Sequence, residues 1–356
     1  MISEYLEKFN ELRITDFEQE LFNHSMTLNN FHIMQCSKYK KFVESHFQID
    51  KMPQSIEDLP FIPVDVFKNN KLYSCKEEDI YKILLSSGTT SQKKSMICLD
   101  KINARNQTLA LSNIFTASTG YKRPNILIVD SPSLIKNRII FNARVAAIIG
   151  FTSLCRKLEY ALNDDYSINI SKIEYFLDKY SSQPIVIFGF TSIIWKYFLQ
   201  TKLPKSIREK FSKQSIMIHG GGWKNLEKFS INRKQFKDKV REIVGIKKIT
   251  NYYGMIEQAG SIFMECEKGF LHTNPLCTIL ARSDKDLRVI KKGNIGIAQV
   301  ISAIPSSYPG HSLLTDDLVE EVFTSDCPCG LPGKAFKIHG RLESAEIRGC
   351  SDTLVL

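Results

Sequence analysis

Four short apolar runs constrain this chain more than any other feature. They are Asn125-Ile-Leu-Ile-Val-Asp130, Pro184-Ile-Val-Ile-Phe-Gly-Phe190, Ser215-Ile-Met-Ile-His-Gly-Gly-Gly-Trp223 and Ile249-Thr-Asn-Tyr-Tyr-Gly254. Each reads as a buried strand closed by a turn. Residues 139–149 and 191–200 between them suit helices. Strands alternating with helices predict an α/β fold, a mixed or parallel sheet flanked by helices. In such sheets ligands lie beyond the carboxyl ends of the strands. The Gly189 turn, the glycines through Gly221 and Gly222, and the Tyr252-Tyr253-Gly254 turn are all expected there. Glycine lets backbone approach a flat ligand closely, although a tight turn explains the triple glycine equally well. Phe188, Phe190 and Trp223, with His219 beside them, are the expected apolar lining of a substrate pocket.

A second stretch has the composition of an anion-binding loop. Lys82-Ile-Leu-Leu-Ser-Ser-Gly-Thr-Thr-Ser-Gln-Lys-Lys-Ser95 opens with an apolar segment, Ile83 to Leu85, read as the end of a buried strand. Ser86, Ser87, Gly88, Thr89 and Thr90 then offer backbone N–H groups and four hydroxyls, and Lys93 and Lys94 add charge. It is not a GxxxxGK[ST] loop, because no second glycine precedes the lysine. A polar turn after a strand is the plain alternative, and the later motifs decide between the two.

The remaining segments set the expected domains. Residues 1–50 read as a helical cap, with Tyr5, Leu6, Phe9 and Leu12 at helical spacing. Residues 51–285 form the expected α/β core, and its lead-in Leu59-Pro-Phe-Ile-Pro-Val-Asp-Val-Phe67 is interrupted by two prolines. Residues 286–349 are expected to be β-rich, with a hairpin from Leu287 that turns at Lys292-Gly-Asn294, and residues 350–356 form a tail. No apolar run is long enough to span a bilayer, and the first residues carry acids rather than a signal peptide's apolar core. A cytoplasmic protein is therefore expected. Nine cysteines, an odd count, then argue for ligands, nucleophiles or packing rather than a disulfide frame. The net charge of +10 comes from scattered lysines without interleaved aromatics. Nucleic acid is one explanation of such a balance, nucleotides or an acidic protein partner fit it equally well, and composition by itself favours neither. Taken with the motifs that follow, no nucleic-acid partner is expected.

Three further blocks carry chemistry. In Asn251-Tyr-Tyr-Gly-Met-Ile-Glu257 an aromatic at a strand end can stack on a base. A carboxylate four residues on can hold Mg2+, which prefers oxygen ligands. Leu313-Leu-Thr-Asp-Asp317 offers a carboxylate able to accept two hydroxyl hydrogen bonds. Gly340-Arg341 precedes Ile347-Arg-Gly349. Together with the hydroxyl loop, these blocks resemble, in order, the motifs of the adenylate-forming superfamily: [ST]SG[ST]TGxPK, YGxTE, TGD and the hinge GRx…IxxRG. The resemblance covers about residues 50–350. It implies nucleotide binding by Ser86 to Thr90, Gly221, Gly222, Tyr252, Tyr253 and Gly254, with Lys94 on the motif's lysine and Tyr253 on the adenine. It places Glu257 on Mg2+, Asp317 on the ribose (with Asp316 as the near alternative) and Arg341 on ribose or phosphate. Ser91, Lys93 and Ile256 depart from the motifs, and Ile256 removes one hydroxyl from the phosphate site.

Cys266, His272, Cys327 and Cys329 supply three thiols and an imidazole, enough for a tetrahedral structural zinc. Unrelated buried cysteines are the alternative, and Cys277 is read as core. Some phenylacetate-CoA ligase relatives carry such a site. Cys350, in Arg348-Gly-Cys-Ser-Asp352, is a candidate nucleophile because a thiolate beside an arginine has a lowered pKa. Here the chain resembles the acyl-protein synthetase of bacterial luminescence, which ends just past the hinge and carries a C-terminal acyl-accepting cysteine. The usual ligase domain of about a hundred residues is not expected before Leu356. The implied activity is ATP-dependent formation of an acyl-adenylate from a fatty or aryl acid, followed by transfer to a thiol. The acceptor is Cys350 with a partner reductase, CoA or an acyl carrier protein. A ligase that leaves Cys350 unused and a non-catalytic nucleotide-binding relative are the alternatives.

Overall fold

The computed structural model describes residues 2–12, 17–48, 51–86, 94–136, 143–221 and 231–342. The chain forms two compact units, one from residues 1–114 with 255–356 and the other from residues 115–254. The first unit is assembled from both ends of the chain.

The first unit begins with helices, of which Glu18–Gln35 and Ser37–His46 are the longest. The proline-rich lead-in holds a two-residue strand, β1 (Ile62–Pro63), and the short helix Val66–Asn69. β2 (Lys82–Leu85) and β3 (Met96–Leu99) form an antiparallel pair of their own, with Leu84 opposite Ile97. Ile83 to Leu85 are therefore not a buried strand. Only Leu84 is buried, and Ile83 is exposed, because a two-stranded ribbon has one face to pack.

The second unit confirms the alternating pattern. β4 (Asn125–Val129), β5 (Lys157–Tyr160), β6 (Ile185–Phe190), β7 (Ser215–Gly220) and β8 (Lys248–Tyr253) lie in the order β8-β7-β6-β4-β5, every pair parallel. Helices Ile170–Lys179, Lys205–Gln214 and Arg233–Ile243 pack Phe176, Phe211 and Phe236 into one core with Leu127, Ile187 and Met217. The helix expected over 191–200 is helical but widens into a π-turn at Ile194–Phe198.

The chain then returns to the first unit. β9 (Phe263–Glu265), β10 (Leu271–His272), β11 (Cys277–Arg282), β12 (Ile295–Ser302), β13 (Ser312–Phe323) and β14 (Ala335–Arg341) make an antiparallel ladder in the order β11-β12-β13-β14-β10-β9. β1 adds in parallel to β13. The hairpin expected from Leu287 takes a different first arm. β12 pairs with β11, and residues 287–290 contribute only a bridge, Arg282 to Val289. Leu287 has φ +56°, a left-handed conformation that a continuous strand cannot hold. No helix among the described residues is long and apolar enough to cross a membrane.

Three histidines tie the N-terminal helices to this ladder's loops. His24 bonds the Ala303 carbonyl at 3.1 Å. His32 bonds Ser74 Oγ at 2.8 Å and the Pro305 carbonyl at 3.1 Å. The His311 ring stacks on His32 at 5.1 Å, and neither of its nitrogens has a partner among the described residues. Burial lowers the basicity of all three, His32 to about 4. The unfolded chain therefore binds more protons below pH ~6.5, and stability is lost as pH falls through that range toward 4. Urea unfolding of the protein should lose on the order of 3 kcal/mol between pH 7 and pH 4 from His32 alone. The slope should flatten in a His32→Asn variant; the same slope in both proteins would contradict the assignment.

Candidate active site

In the first unit, the residues on either side of the hydroxyl loop belong to the β2–β3 pair, which is separate from the parallel sheet. The loop's base is closed twice: Ser86 N donates to the Ser95 carbonyl at 3.1 Å, and Ser95 N donates to Ser86 Oγ at 2.8 Å. Lys94 is half-buried beside this closure. Ser87, Gly88, Thr89 and Thr90 lie outside the described residues.

Glu257 sits on a 3-10 turn at residues 256–258 and is 8% exposed. Tyr308 Oη donates to its backbone carbonyl at 2.7 Å, which fixes the turn. Burial pushes its carboxyl above the ordinary range, while a hydrogen bond from the Ser95 side chain and the charges of Arg341 and Lys68 act in the opposite direction. Ser95 thus links the loop's base to the carboxylate. Sequence reasoning missed Ser95 and Lys68, for only the fold brings residues 95 and 68 to residue 257.

Asp317 and Arg341 are direct cross-strand partners on β13 and β14, and Arg341 Nε donates to Asp317 Oδ1 at 2.9 Å. Burial and the nearby Asp65 raise the carboxyl of Asp316. The first unit therefore gathers Glu257, Ser95, Arg341 and Asp317. A buried carboxylate among oxygen donors suits a hard cation such as Mg2+.

The second cluster of this unit is the cysteine set. Cys266 follows β9, His272 lies on β10, and Cys327 and Cys329 lie in the connection between β13 and β14. One ligand atom from each of the four falls within 4.8 Å of all the others. Cys329 Sγ stands 3.3 Å from His272 Nε2. Tetrahedral zinc, with Zn–S of about 2.3 Å and Zn–N of about 2.0 Å, needs donor separations of this order. The connection turns through Gly330 at φ +74°, and Gly330 N bonds the Cys327 carbonyl at 3.0 Å. Cys277 is fully buried, as read from the sequence.

In the second unit the expected residues cluster at the ends of β6, β7 and β8. Phe188 is fully buried, its ring stacked on Phe151 at 3.9 Å. Gly189 lies within β6 rather than in a turn, and a Cβ there would stand 3.0 Å from Val129 Cβ. Tyr252 is buried against Phe151 and Phe188 and covers Gly220. Tyr253 is half-buried and Gly254 exposed. Phe190 lies over Gly221, whose φ is +78°. His219 bonds Thr191 Oγ1 through Nδ1 at 2.9 Å, and burial lowers its basicity to about 3. It is a neutral, packed imidazole. Gly222, Trp223 and Cys350 lie outside the described residues. At the end of β4, the fully buried Asp130 is gripped by Arg144 through both carboxylate oxygens. The sequence shows this pair only as an acid closing an apolar run.

The fold is one that acid-activating ligases share. A 2-hydroxyisobutyryl-CoA ligase in its postadenylation state superposes with a TM-score of 0.69 over 93% of this chain and 70% of its own, at 14% identity. Its open conformation gives 0.66 over 92% and 70%, at 12% identity. The family profile described as "Acyl-protein synthetase, LuxE" matches residues 9–355, and the chain belongs to that family. The long-chain-fatty-acid–luciferin-component ligase of Aliivibrio fischeri is 25% identical over 332 residues, spanning 90% of this chain and 84% of its own length. The same-named protein of Vibrio harveyi is 20% identical over 331 residues, 90% and 83% of the two chains. By family, then, this is an ATP-dependent acid–thiol ligase.

The glycines at the strand ends make a test. A Cβ on Gly220 would stand 2.3 Å from the Tyr252 ring. Gly220→Ala should therefore cost about 2 kcal/mol through overpacking. Chemical unfolding reads the loss, and an unchanged midpoint would show that the ring yields freely.

Proposed function

We propose that this chain joins a long-chain fatty acid to a thiol through an acyl-adenylate. The observation that carries the reading is the buried Glu257, tied through Ser95 to the base of the hydroxyl loop and lying in the field of Arg341. The fatty chain is suggested by the activity named for the Aliivibrio fischeri relative.

In the first half-reaction a carboxylate oxygen attacks the α-phosphorus of ATP. The new bond is O–Pα, the bond that breaks joins Pα to the bridging oxygen, and pyrophosphate leaves. The loop from Ser86 to Lys94 is assigned to the phosphates, and Glu257 to the accompanying Mg2+. Bound there, Mg2+ would neutralise charge on the phosphate oxygens. Tyr253 stacks on the adenine, and Asp317 accepts from the ribose hydroxyls, oriented by its bond to Arg341. In the second half-reaction a thiolate attacks the acyl carbon, the C–S bond forms, the C–O bond to phosphate breaks, and AMP departs. Cys350 is the proposed acceptor, with passage to a partner reductase or carrier thiol.

A fatty acid should then drive ATP–pyrophosphate exchange. Glu257→Gln should slow exchange by about a hundredfold. Cys350→Ala should keep exchange but lose radiolabelled acyl-enzyme on a denaturing gel. Label retained in that variant would move the acceptor role to an external thiol, and no exchange with any fatty or aryl acid would end the reading.

The residues Cys266, His272, Cys327 and Cys329 would hold a structural zinc that cross-links the β9–β10 hairpin to the β13–β14 connection. Purified protein should carry one zinc per chain, and Cys327→Ser should lose both the metal and several degrees of Tm. Metal-free protein with an unchanged Tm would remove this site.

A further inference from the structure

Charge is divided unevenly between the two units. Residues 115–254 hold 24 lysines and arginines against 10 acids, a formal +14, whereas the other unit holds 24 against 28, a formal −4. Much of the excess lies on two neighbouring helices. Lys205–Gln214 and Arg233–Ile243 bury Ile207, Phe211, Phe236 and Val240 in the core. Their outward positions include Lys205, Lys213, Lys234 and Arg241, all exposed. The helices adjoin, for a Cβ on Gly245, just past the second, would stand 2.6 Å from the Arg208 carbonyl in the first.

Lys213 and Arg241, in the last turns, suit the helix dipoles, but the charges at the other ends do not. Neither helix has an acid in its first turn, and Lys205 and Lys234 sit at the ends where the helix dipole is already positive. The positive field also reaches the ligand end of the sheet: Arg233 and Lys237 act on His219, at the end of β7.

We infer that this face docks an acidic protein, the one whose thiol finally receives the acyl group. The inference rests on the thiol-transfer reading above and names its partner's chemistry. A membrane surface fits less well. Among the described residues of 115–254 the one large exposed hydrophobic is Tyr175, and neither helix offers an apolar side chain to insert. Nucleic acid also fits less well. Glu209 and Asp238 lie within the same faces, in ion pairs with Lys205 and Arg241. A phosphate backbone would meet those acids with repulsion, whereas a protein surface can match both signs.

The test uses holo-acyl carrier protein as the acidic probe and free pantetheine as the small thiol. A triple variant, Lys205→Glu, Lys213→Glu and Lys234→Glu, is compared with the natural chain. Direct binding to immobilised carrier protein should weaken about tenfold in the variant, and about tenfold in the natural chain between low and moderate salt. ATP–pyrophosphate exchange and transfer to pantetheine should stay within about twofold, because neither uses this face. Equal carrier affinity in both proteins overturns the inference. So does lysine-dependent binding to duplex DNA or to phosphatidylglycerol vesicles in place of the carrier. If exchange fails with every acid, the ligase reading fails, while the binding comparison still reports on the surface.

Discussion

The chemistry assigned to this protein hangs on a carboxylate that water barely reaches. An ionised carboxyl in such a place is costly, and the cost falls only where hydrogen bonds and opposite charge meet it. The Ser95 hydroxyl provides the bond, and Arg341 and Lys68 provide the charge. The turn that carries the group is itself fixed by Tyr308. A poised, partly compensated carboxylate is a natural seat for a cation, which would complete the compensation.

In the other unit, the bareness of the strand ends has a double use. Gly189, Gly220 and Gly221 are packed against Val129, Tyr252 and Phe190 respectively. The space their side chains would take is filled by neighbours within the unit, the Tyr252 and Phe190 rings at Gly220 and Gly221 and the aliphatic Val129 and Ile194 at Gly189. The glycine-rich signature is in this sense a packing device first. His219 belongs to the same arrangement, neutral and held by Thr191, rather than to acid–base chemistry.

The cysteine cluster shows where linear reading gains from distance. Cys266 and His272 bracket a tight hairpin, and Cys327 and Cys329 arrive from a connection more than fifty residues later. Residue types alone suggested a ligand set, and the pairing of β10 with β14 supplies the physical reason they meet.

The sequence by itself determined the alternation of strand and helix, the strands of the second unit and the order of the nucleotide-binding motifs, because each is written in local periodicity and spacing. It could not determine that β2 and β3, the strands flanking the hydroxyl loop, pair only with each other, or that β12 takes β11 as its partner instead of the nearer Leu287 segment. Nor could it show that Ser95 and Lys68 serve Glu257, that Phe188 and Tyr252 are both buried against Phe151, or that three N-terminal and loop histidines share one interior. Those outcomes were decided by tertiary structure, since strand pairing and burial are settled by competition among contacts distant along the chain.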